Sequence, residues 1–225
     1  MRTAAILPVK RFVRAKQRLG QTVADPLRAD LARAMVGDVL SALRACSAVE
    51  RTIVVTSEAA VAAAASYQGE IVVDDTAEEG QSAAVARGIE RAVAEGFERV
   101  LCIPGDCPAL DPVEVAALLA VEPGGPNEVV VVPDRHGTGT NGLLLTPPDA
   151  IPPSFGPGSC ERHRRLAQAA GVVCRVERVP TLLLDIDTGE DLAVLRERLA
   201  GEPRGAPRTR KVLGVPTDRR SDAIA

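Results

Sequence analysis

The sequence predicts an α/β fold in which one mixed, mostly parallel sheet is flanked by helices. Short apolar runs alternate with stretches of helical periodicity, which is the order that βαβ units produce. Hydrophobic residues make up 46% of the 225 residues, whereas aromatic residues make up only 2% and tryptophan is absent. A core built from Val, Leu, Ile and Ala is typical of a parallel sheet that is buried on both faces. The length is sufficient for one domain with a sizeable core.

The strands are predicted from short apolar runs that end at Gly, Pro or acidic residues. Each run is too short for an average helix and is rich in Val, Ile and Leu. The predicted strands span residues 3–9, 51–57, 69–75, 98–108 (running into a tight turn), 127–134, 142–148, 172–179 and 182–186.

The helices are predicted from apolar residues at helical spacing or from alanine-rich stretches. Asp25 and Asp111 each precede a proline, which pairs an N-cap with a proline at the first helical position. Ser159 can cap a later helix. The predicted helices span residues 26–46, 58–67, 81–96, 112–121, 160–170 and 188–200.

The end of the chain differs in composition from the rest. Residues 201–225 are rich in Pro, Gly and charge and show little apolar periodicity. A segment of this kind cannot bury enough apolar surface to offset the entropy lost on ordering. We therefore expect one domain over residues 1–200 and a disordered tail over residues 201–225.

The charge and the apolar patterning exclude several classes of protein. With 27 basic and 30 acidic residues the net charge is −3, which argues against general nucleic-acid binding. No apolar stretch approaches the roughly 20 residues of a membrane span, and the first apolar run lacks the charge order of a signal peptide. The five cysteines are scattered without metal-binding spacing. We expect a soluble, cytoplasmic protein without membrane or nucleic-acid partners.

A basic loop follows the first predicted strand. Its cations can converge on one polyphosphate, and Lys16 and Arg18 are the best placed to reach between phosphates. A solvated basic surface is the alternative, and Arg11 and Arg14 fit it better. The loop lacks the P-loop motif. Its cations are Lys10, Arg11, Arg14, Lys16 and Arg18.

Three acidic residues are predicted at the carboxyl ends of strands, where ligands bind in open α/β sheets. Asp106 follows the fourth strand in "PGDCP", and a lone carboxylate there suits Mg²⁺. Asp185 and Asp187 are two apart, so an extended strand end would direct both to one face. Either one could complete the metal site with Asp106. Asp187 could instead cap the last helix, and Asp106 could instead bind loop amides.

A Gly/Thr-rich loop and a helix start form the fourth candidate element. Glycines in "DRHGTGTN" permit close backbone approach, and the free N–H groups of a helix that begins at Ser159 would attract an anion. A simple cap with a solvated basic helix face is the alternative. With two histidines and no Ser/His/Asp or Cys/His pattern, a nucleophilic hydrolase has little support.

These segments together resemble the phosphoenolpyruvate/2-phospholactate guanylyltransferases of coenzyme F-420 biosynthesis. The shared segments, in order, are "LPVKRFVRAKQRL", "PGDCP", "DRHGTGTN", "FGPGSCERHRRLA" and "DIDTGEDL". The resemblance covers about residues 3–200 and implies a single Rossmann-like nucleotidyltransferase domain of the GT-A type. One departure is Gly189, where relatives often have proline.

The resemblance also implies roles for individual residues. Binding of phosphoenolpyruvate falls on Thr140, Gly156 and Ser159. Catalytic roles are expected for Lys16, Arg18 and Asp106. The nucleotide would be bound by Pro8, Val9, Lys10 and Lys16, and Mg²⁺ by Asp106, Asp185 and Asp187.

The implied reaction joins GMP from GTP to the phosphate of phosphoenolpyruvate and releases pyrophosphate. The alternatives that stay open are 2-phospho-L-lactate or 3-phosphoglycerate as the acid, a nucleotidyltransferase of the molybdenum-cofactor type, and a nucleotide- or RNA-binding protein. A homodimer is one open alternative for the oligomeric state.

Overall fold

The computed structural model describes residues 1–12, 19, 24–202 and 204–216. Strands and helices alternate along the chain, as expected for an α/β fold. The strands are β1 (Thr3–Val9), β2 (Arg51–Thr56), β3 (Ile71–Asp74), β4 (Arg99–Cys102), β5 (Glu128–Pro133), β6 (Thr140–Thr146) and β7 (Val173–Val176). The helices are α1 (Asp25–Ala45), α2 (Ala59–Tyr67), α3 (Gln81–Ala94), α4 (Pro112–Ala120), α5 (Ser159–Ala169), α6 (Gly189–Gly201) and α7 (Pro207–Leu213).

Within the described residues, one seven-stranded sheet has the order β3-β2-β1-β4-β6-β5-β7. Strands β1 to β4 are mutually parallel where they pair, and β7 is parallel to β5. Strand β6 is antiparallel to both of its neighbours, with Leu144 opposite Leu101 of β4 and Val130 of β5. The sheet is therefore mixed and mostly parallel, as the sequence predicts.

Helices cover both faces of the sheet. In β1, Ala5 and Leu7 pack into a cluster with residues of α1 and α4, whereas Ala4 and Ile6 pack against α3. The alternation follows from the two-residue period of a strand. Because both faces are buried, β1 is apolar at every position from Ala4 to Leu7.

Several predicted boundaries are wrong by one residue. The N-cap of α1 is Ala24 rather than Asp25, and that of α6 is Thr188 rather than Asp187. Thr188 forms a capping box with Asp191. Ser159 is the first residue of α5 and does not cap it with its side chain. Asp111 does cap α4, since its carboxylate accepts from the backbone N–H of Val113 at 2.8 Å.

The strand predicted over residues 182–186 is absent. Leu182, Leu184 and Ile186 are all buried, which produces the alternating pattern of a strand. The backbone of this segment does not form the hydrogen bonds of a β-sheet. Instead, the N–H of Ile186 donates to the carbonyl of Asp106 at 3.1 Å, and the carbonyl of Leu182 accepts from the Asn141 amide at 2.8 Å.

The prediction of a disordered tail from residue 201 is wrong for α7. Asp38 of α1 is buried and accepts from the backbone N–H of Arg208 at 3.1 Å and of Thr209 at 2.8 Å. The buried Arg210 guanidinium donates to the carbonyls of Leu199, Glu202, Arg204, Gly205 and Pro216. These polar contacts, together with the buried side chains of Ala206 and Leu213, hold a segment whose sequence shows little apolar periodicity. Residues 203 and 217–225 lie outside the described residues.

Candidate active site

A cleft of about 740 Å³ opens at the carboxyl ends of β1 and β4. It collects residues from segments that are far apart in the sequence. Those of the predicted site residues that line it are Pro8, Val9, Lys10, Asp106, Thr140, Gly156, Ser159, Asp185 and Asp187. Of these, the residues at the end of β1 and Asp106 after β4 lie at the carboxyl ends of parallel strands, where ligands bind in open α/β sheets.

The first wall of the cleft is the end of β1. Pro8, Val9 and Lys10 line it, and Arg11 forms a 2.8 Å ion pair with Glu78. Arg11 and Glu78 also line the cleft, so the expectation that Arg11 is a bystander stays a prediction. Lys16, Arg18 and Arg14 lie outside the described residues, so their predicted roles stay predictions.

The loop after β4 presents Asp106 to the cleft. Gly105 lies so close to α1 that a Cβ at this position would be 2.9 Å from Cγ2 of Val36. A larger residue would have to push the loop away from the helix. The carbonyl of Asp106 accepts from Ile186, so the segment carrying Asp185 and Asp187 is tied to the Asp106 loop.

Asp185, one of the predicted carboxylate pair, is half-buried. The amide of Asn141 donates to its Oδ1 at 3.0 Å. Burial raises the pKa of the Asp185 carboxyl, and the negative charge of Asp106 raises this pKa further. Asp106 and Asp185 therefore lie within electrostatic reach of each other.

This donor set fits a divalent cation with few protein ligands. Among the described residues, no three His, Cys, Asp or Glu side chains are arranged to hold a metal ion. The predicted set of Asp106, Asp185 and Asp187 is thus not assembled as one three-carboxylate cluster. Two mutually repelling carboxylates at the edge of an open cleft fit the coordination preference of Mg²⁺. This ion usually binds one or two carboxylates and completes its coordination shell with water and phosphate oxygens.

The opposite wall is formed by β6 and the start of α5. Thr140 is the first residue of β6 and lines the cleft, although it is only 6% exposed. Gly156 has a φ of +106°, a backbone conformation that residues with a Cβ rarely adopt. The N–H of Ser159 donates to the carbonyl of Gly156 at 3.0 Å, and that of Cys160 to the carbonyl of Thr138 at 3.1 Å. The expectation of free N–H groups at this helix start is therefore wrong for these two residues.

Sequence reasoning did not predict how three residues organise this wall. Asn141 orients Asp185, and His163, which is fully buried, contacts Thr140 and the loop before α5. Arg162 donates to the carbonyls of Ser154, Phe155 and Pro157. The "RHRR" run indicated a basic helix face, which is correct for Arg164 and Arg165, since both pair with Glu161 at the surface. The run carried no signal that Arg162 and His163 turn inward.

The cysteines and the helices add two further findings. All five cysteines are free thiols, and burial raises the pKa of Cys102, Cys160 and Cys174, which disfavours the reactive thiolate. Across the described ranges, the longest apolar helical stretches fall short of what crossing a membrane requires.

Comparisons with known proteins agree on one family. The family model described as "Guanylyl transferase CofC like" matches residues 3–208. The phosphoenolpyruvate guanylyltransferase of Conexibacter woesei is 49% identical over 214 residues, which cover 95% of this chain and 96% of the relative. That of Rubrobacter xylanophilus is 42% identical and covers 87% of this chain and 94% of the relative.

A solved nucleotidyl transferase from Methanothermobacter has the same fold. It superposes with a TM-score of 0.60 at 21% identity, covering 88% of this chain and 97% of that chain. With a matching family model over most of its length and relatives of this similarity, the chain belongs to the CofC-like guanylyl transferase family and is a nucleotidyltransferase.

Proposed function

We propose that the protein joins GMP from GTP to the phosphate of phosphoenolpyruvate, forming enolpyruvoyl-diphospho-guanosine and pyrophosphate in coenzyme F-420 biosynthesis in the cytoplasm. The observation that carries the proposal is the convergence, in one cleft, of the β1 end, the Asp106–Asp185 pair and the Thr140–Ser159 wall. The names of the relatives support phosphoenolpyruvate as the acid.

The chemistry asks little of the protein beyond positioning. A phosphomonoester oxygen is already an anion at neutral pH, so its attack on the α-phosphorus of GTP needs no general base. The protein must bring two anions together and disperse their charge. We assign charge dispersal on the α-phosphate and the departing pyrophosphate to Lys16 and Arg18, and nucleotide contacts to Pro8, Val9 and Lys10.

A divalent cation completes the proposal. Mg²⁺ would be held by Asp106 together with Asp185 or Asp187, and when bound it would offset negative charge on the phosphates of GTP. The acid would lie against the opposite wall, where Thr140, Gly156 and Ser159 line the cleft.

The identity of the acid is tested by competition. The protein is incubated with GTP, Mg²⁺ and equal amounts of phosphoenolpyruvate, 2-phospho-L-lactate and 3-phosphoglycerate, and the products are separated by mass. We expect the phosphoenolpyruvate adduct and an equal amount of pyrophosphate. If the adduct of another acid dominated, that acid would replace phosphoenolpyruvate as the proposed substrate. If none of the three adducts formed and no pyrophosphate were released, the proposed function would be overturned.

A further inference from the structure

His163 lies between the acid wall of the cleft and the loop before α5. Its side chain is fully buried, with Nδ1 3.0 Å from Thr140 Oγ1. On the other side of the ring, Nε2 is 2.9 Å from the backbone nitrogen of Ser154. Both ring nitrogens are therefore engaged, one by a hydroxyl and one by a main-chain amide.

The main-chain contact determines where the ring proton lies. A backbone N–H can only donate, so Nε2 must be the nitrogen that carries the lone pair. In a neutral imidazole the proton then lies on Nδ1, which donates to Thr140 Oγ1. Burial and, to a lesser degree, the charge of Arg162 lower the pKa of His163 to about 4, so the ring is neutral at neutral pH.

The direction of this hydrogen bond matters for Thr140. A threonine hydroxyl has one hydrogen to donate and two lone pairs that accept. Because His163 uses one lone pair, the hydroxyl hydrogen is left for another acceptor, and Thr140 lines the cleft. An anionic oxygen of a carboxylate or phosphate is the acceptor that such a donor suits.

We propose that His163 is a positioning residue that fixes the Thr140 hydroxyl as a hydrogen-bond donor to an anionic oxygen of the acid substrate. The inference rests on the proposed function in placing the acid at Thr140, and it adds the residue that sets the polarity of this contact.

Arg162 holds the other end of the same arrangement. Its guanidinium donates to the Ser154 hydroxyl at 3.1 Å and to the carbonyls of Ser154 and Phe155 at 3.1 and 3.0 Å. The Phe155 ring meets the His163 ring edge to face at 5.1 Å between centroids. Arg162 thus holds the backbone whose Ser154 N–H selects the tautomer of His163. His163, the next residue of α5, in turn donates to Thr140.

Wild-type protein permits the first test. The chain contains two histidines, so ¹⁵N labelling gives two imidazole ring systems, and the spectrum of a His163→Asn variant assigns them. We expect His163 to be protonated on Nδ1 and to show no titration between about pH 5.5 and 8. An Nε2-protonated ring, or a ring that titrates in this range, would overturn the inference without any activity measurement.

The second test is a double-variant cycle of steady-state kinetics. His163→Leu should raise the KM for the acid about tenfold, the scale of one lost hydrogen bond, and leave the KM for GTP unchanged. In His163→Asn the amide can still donate near the Nδ1 position. The KM for the acid should therefore rise less in this variant than in His163→Leu. Thr140→Val should reproduce the effect of His163→Leu, and adding His163→Leu to Thr140→Val should change the KM for the acid little further.

The controls separate the possible failures. Arg165→Ala alters an exposed ion pair on the same helix and should behave as wild type. If wild-type protein releases no pyrophosphate with any of the three acids, the proposed function fails. If wild-type protein is active and the effects of the Thr140 and His163 variants multiply, or His163→Leu alters the KM for GTP instead, His163 does not act through Thr140 and the inference fails alone.

Discussion

The side chain of Asn141 binds two groups of the segment that carries a site carboxylate: it donates to Asp185 Oδ1 at 3.0 Å and to the carbonyl of Leu182 at 2.8 Å. Asn141 lies on β6 next to Thr140, so one strand serves both the carboxylate pair and the acid wall. The amide orients a half-buried carboxylate whose pKa is raised by desolvation and by the charge of Asp106.

The first prediction concerns this amide. Asn141→Leu keeps a similar volume but removes the donor, so Asp185 loses its orientation. We expect turnover to fall about tenfold or more, since hydrogen bonds to charged groups typically contribute about 1.5–3 kcal/mol. The concentration of Mg²⁺ needed for half-maximal rate should rise. Unchanged metal dependence would show that Asp185 is held in place without Asn141.

The second prediction concerns Asp106. Asp106→Asn keeps the shape of the side chain and removes its charge, so turnover should fall on the order of 10²-fold or more while folding is intact. Pyrophosphate release and a thermal melt check both statements. Asp149→Asn makes the same chemical change at an exposed position outside the cleft and should have no effect. Near-normal turnover of Asp106→Asn would remove this residue from the mechanism.

The third prediction concerns the stability of the metal-free protein. The pKa of Asp185 is raised in the folded state, so the stability that its protonated form contributes is lost as the pH rises through this pKa. At neutral pH, Asp185→Asn should therefore raise the Tm, by about 2–4 °C per kcal/mol removed in a protein of this size. This advantage should shrink as the pH falls.

Divalent cation provides the control for Asp185. Mg²⁺ should raise the Tm of the wild-type protein more than that of Asp185→Asn, because binding to the folded state alone stabilises it. Thermal melts in chelator and in excess Mg²⁺ measure both effects. An equal rise in the two proteins would place the cation away from Asp185.

The fourth prediction concerns the acid wall. Gly156→Ala forces a side chain onto a φ of +106°, and Ser159→Ala removes only a hydroxyl, so the glycine change should raise the KM for the acid more. Neither change should alter the KM for GTP. Gly171→Ala makes a similar backbone demand at φ +66° beyond the other end of α5 and should leave both constants unchanged. Loss of GTP affinity in Ser159→Ala would assign this wall to the nucleotide.

The fifth prediction concerns the attachment of α7. Asp38→Ala removes the acceptor of two backbone N–H groups, and we expect about 1–3 kcal/mol of lost stability for leaving buried donors unsatisfied. Limited proteolysis should then cut near residue 204. Asp30→Ala on the same helix removes an exposed ion pair and should change neither the Tm nor the cleavage pattern. Wild-type resistance of Asp38→Ala to the protease would contradict the role given to this carboxylate.

The features that sequence reasoning predicted correctly share a local cause. Apolar period and length predict where strands and helices lie, and the position of Asp106 directly after a buried strand predicts its place in the cleft. Asp185 lines the same cleft, although the strand on which its prediction depended is a buried loop in the structure.

The features that were missed depend on contacts between distant positions. Asp38 and Thr209 are 171 residues apart, and nothing near either one indicates the other. The pairing of Thr140 with His163 is similar, because a histidine within a run of arginines has the composition of a solvated helix face. Polar docking of this kind has no period, so pattern reasoning cannot detect it.

A smaller apolar cluster, separate from the two clusters that pack on the faces of β1, determines when the surroundings of Asp185 can form during synthesis. It joins Leu31 and Met35 of α1 to Leu184 and Ile186, which flank Asp185, and to Leu213 near the end of α7. Domains generally fold as units during synthesis. Because this cluster includes residues of α7, the surroundings of Asp185 can close only after α7 has been made, so this part of the site is completed late in synthesis.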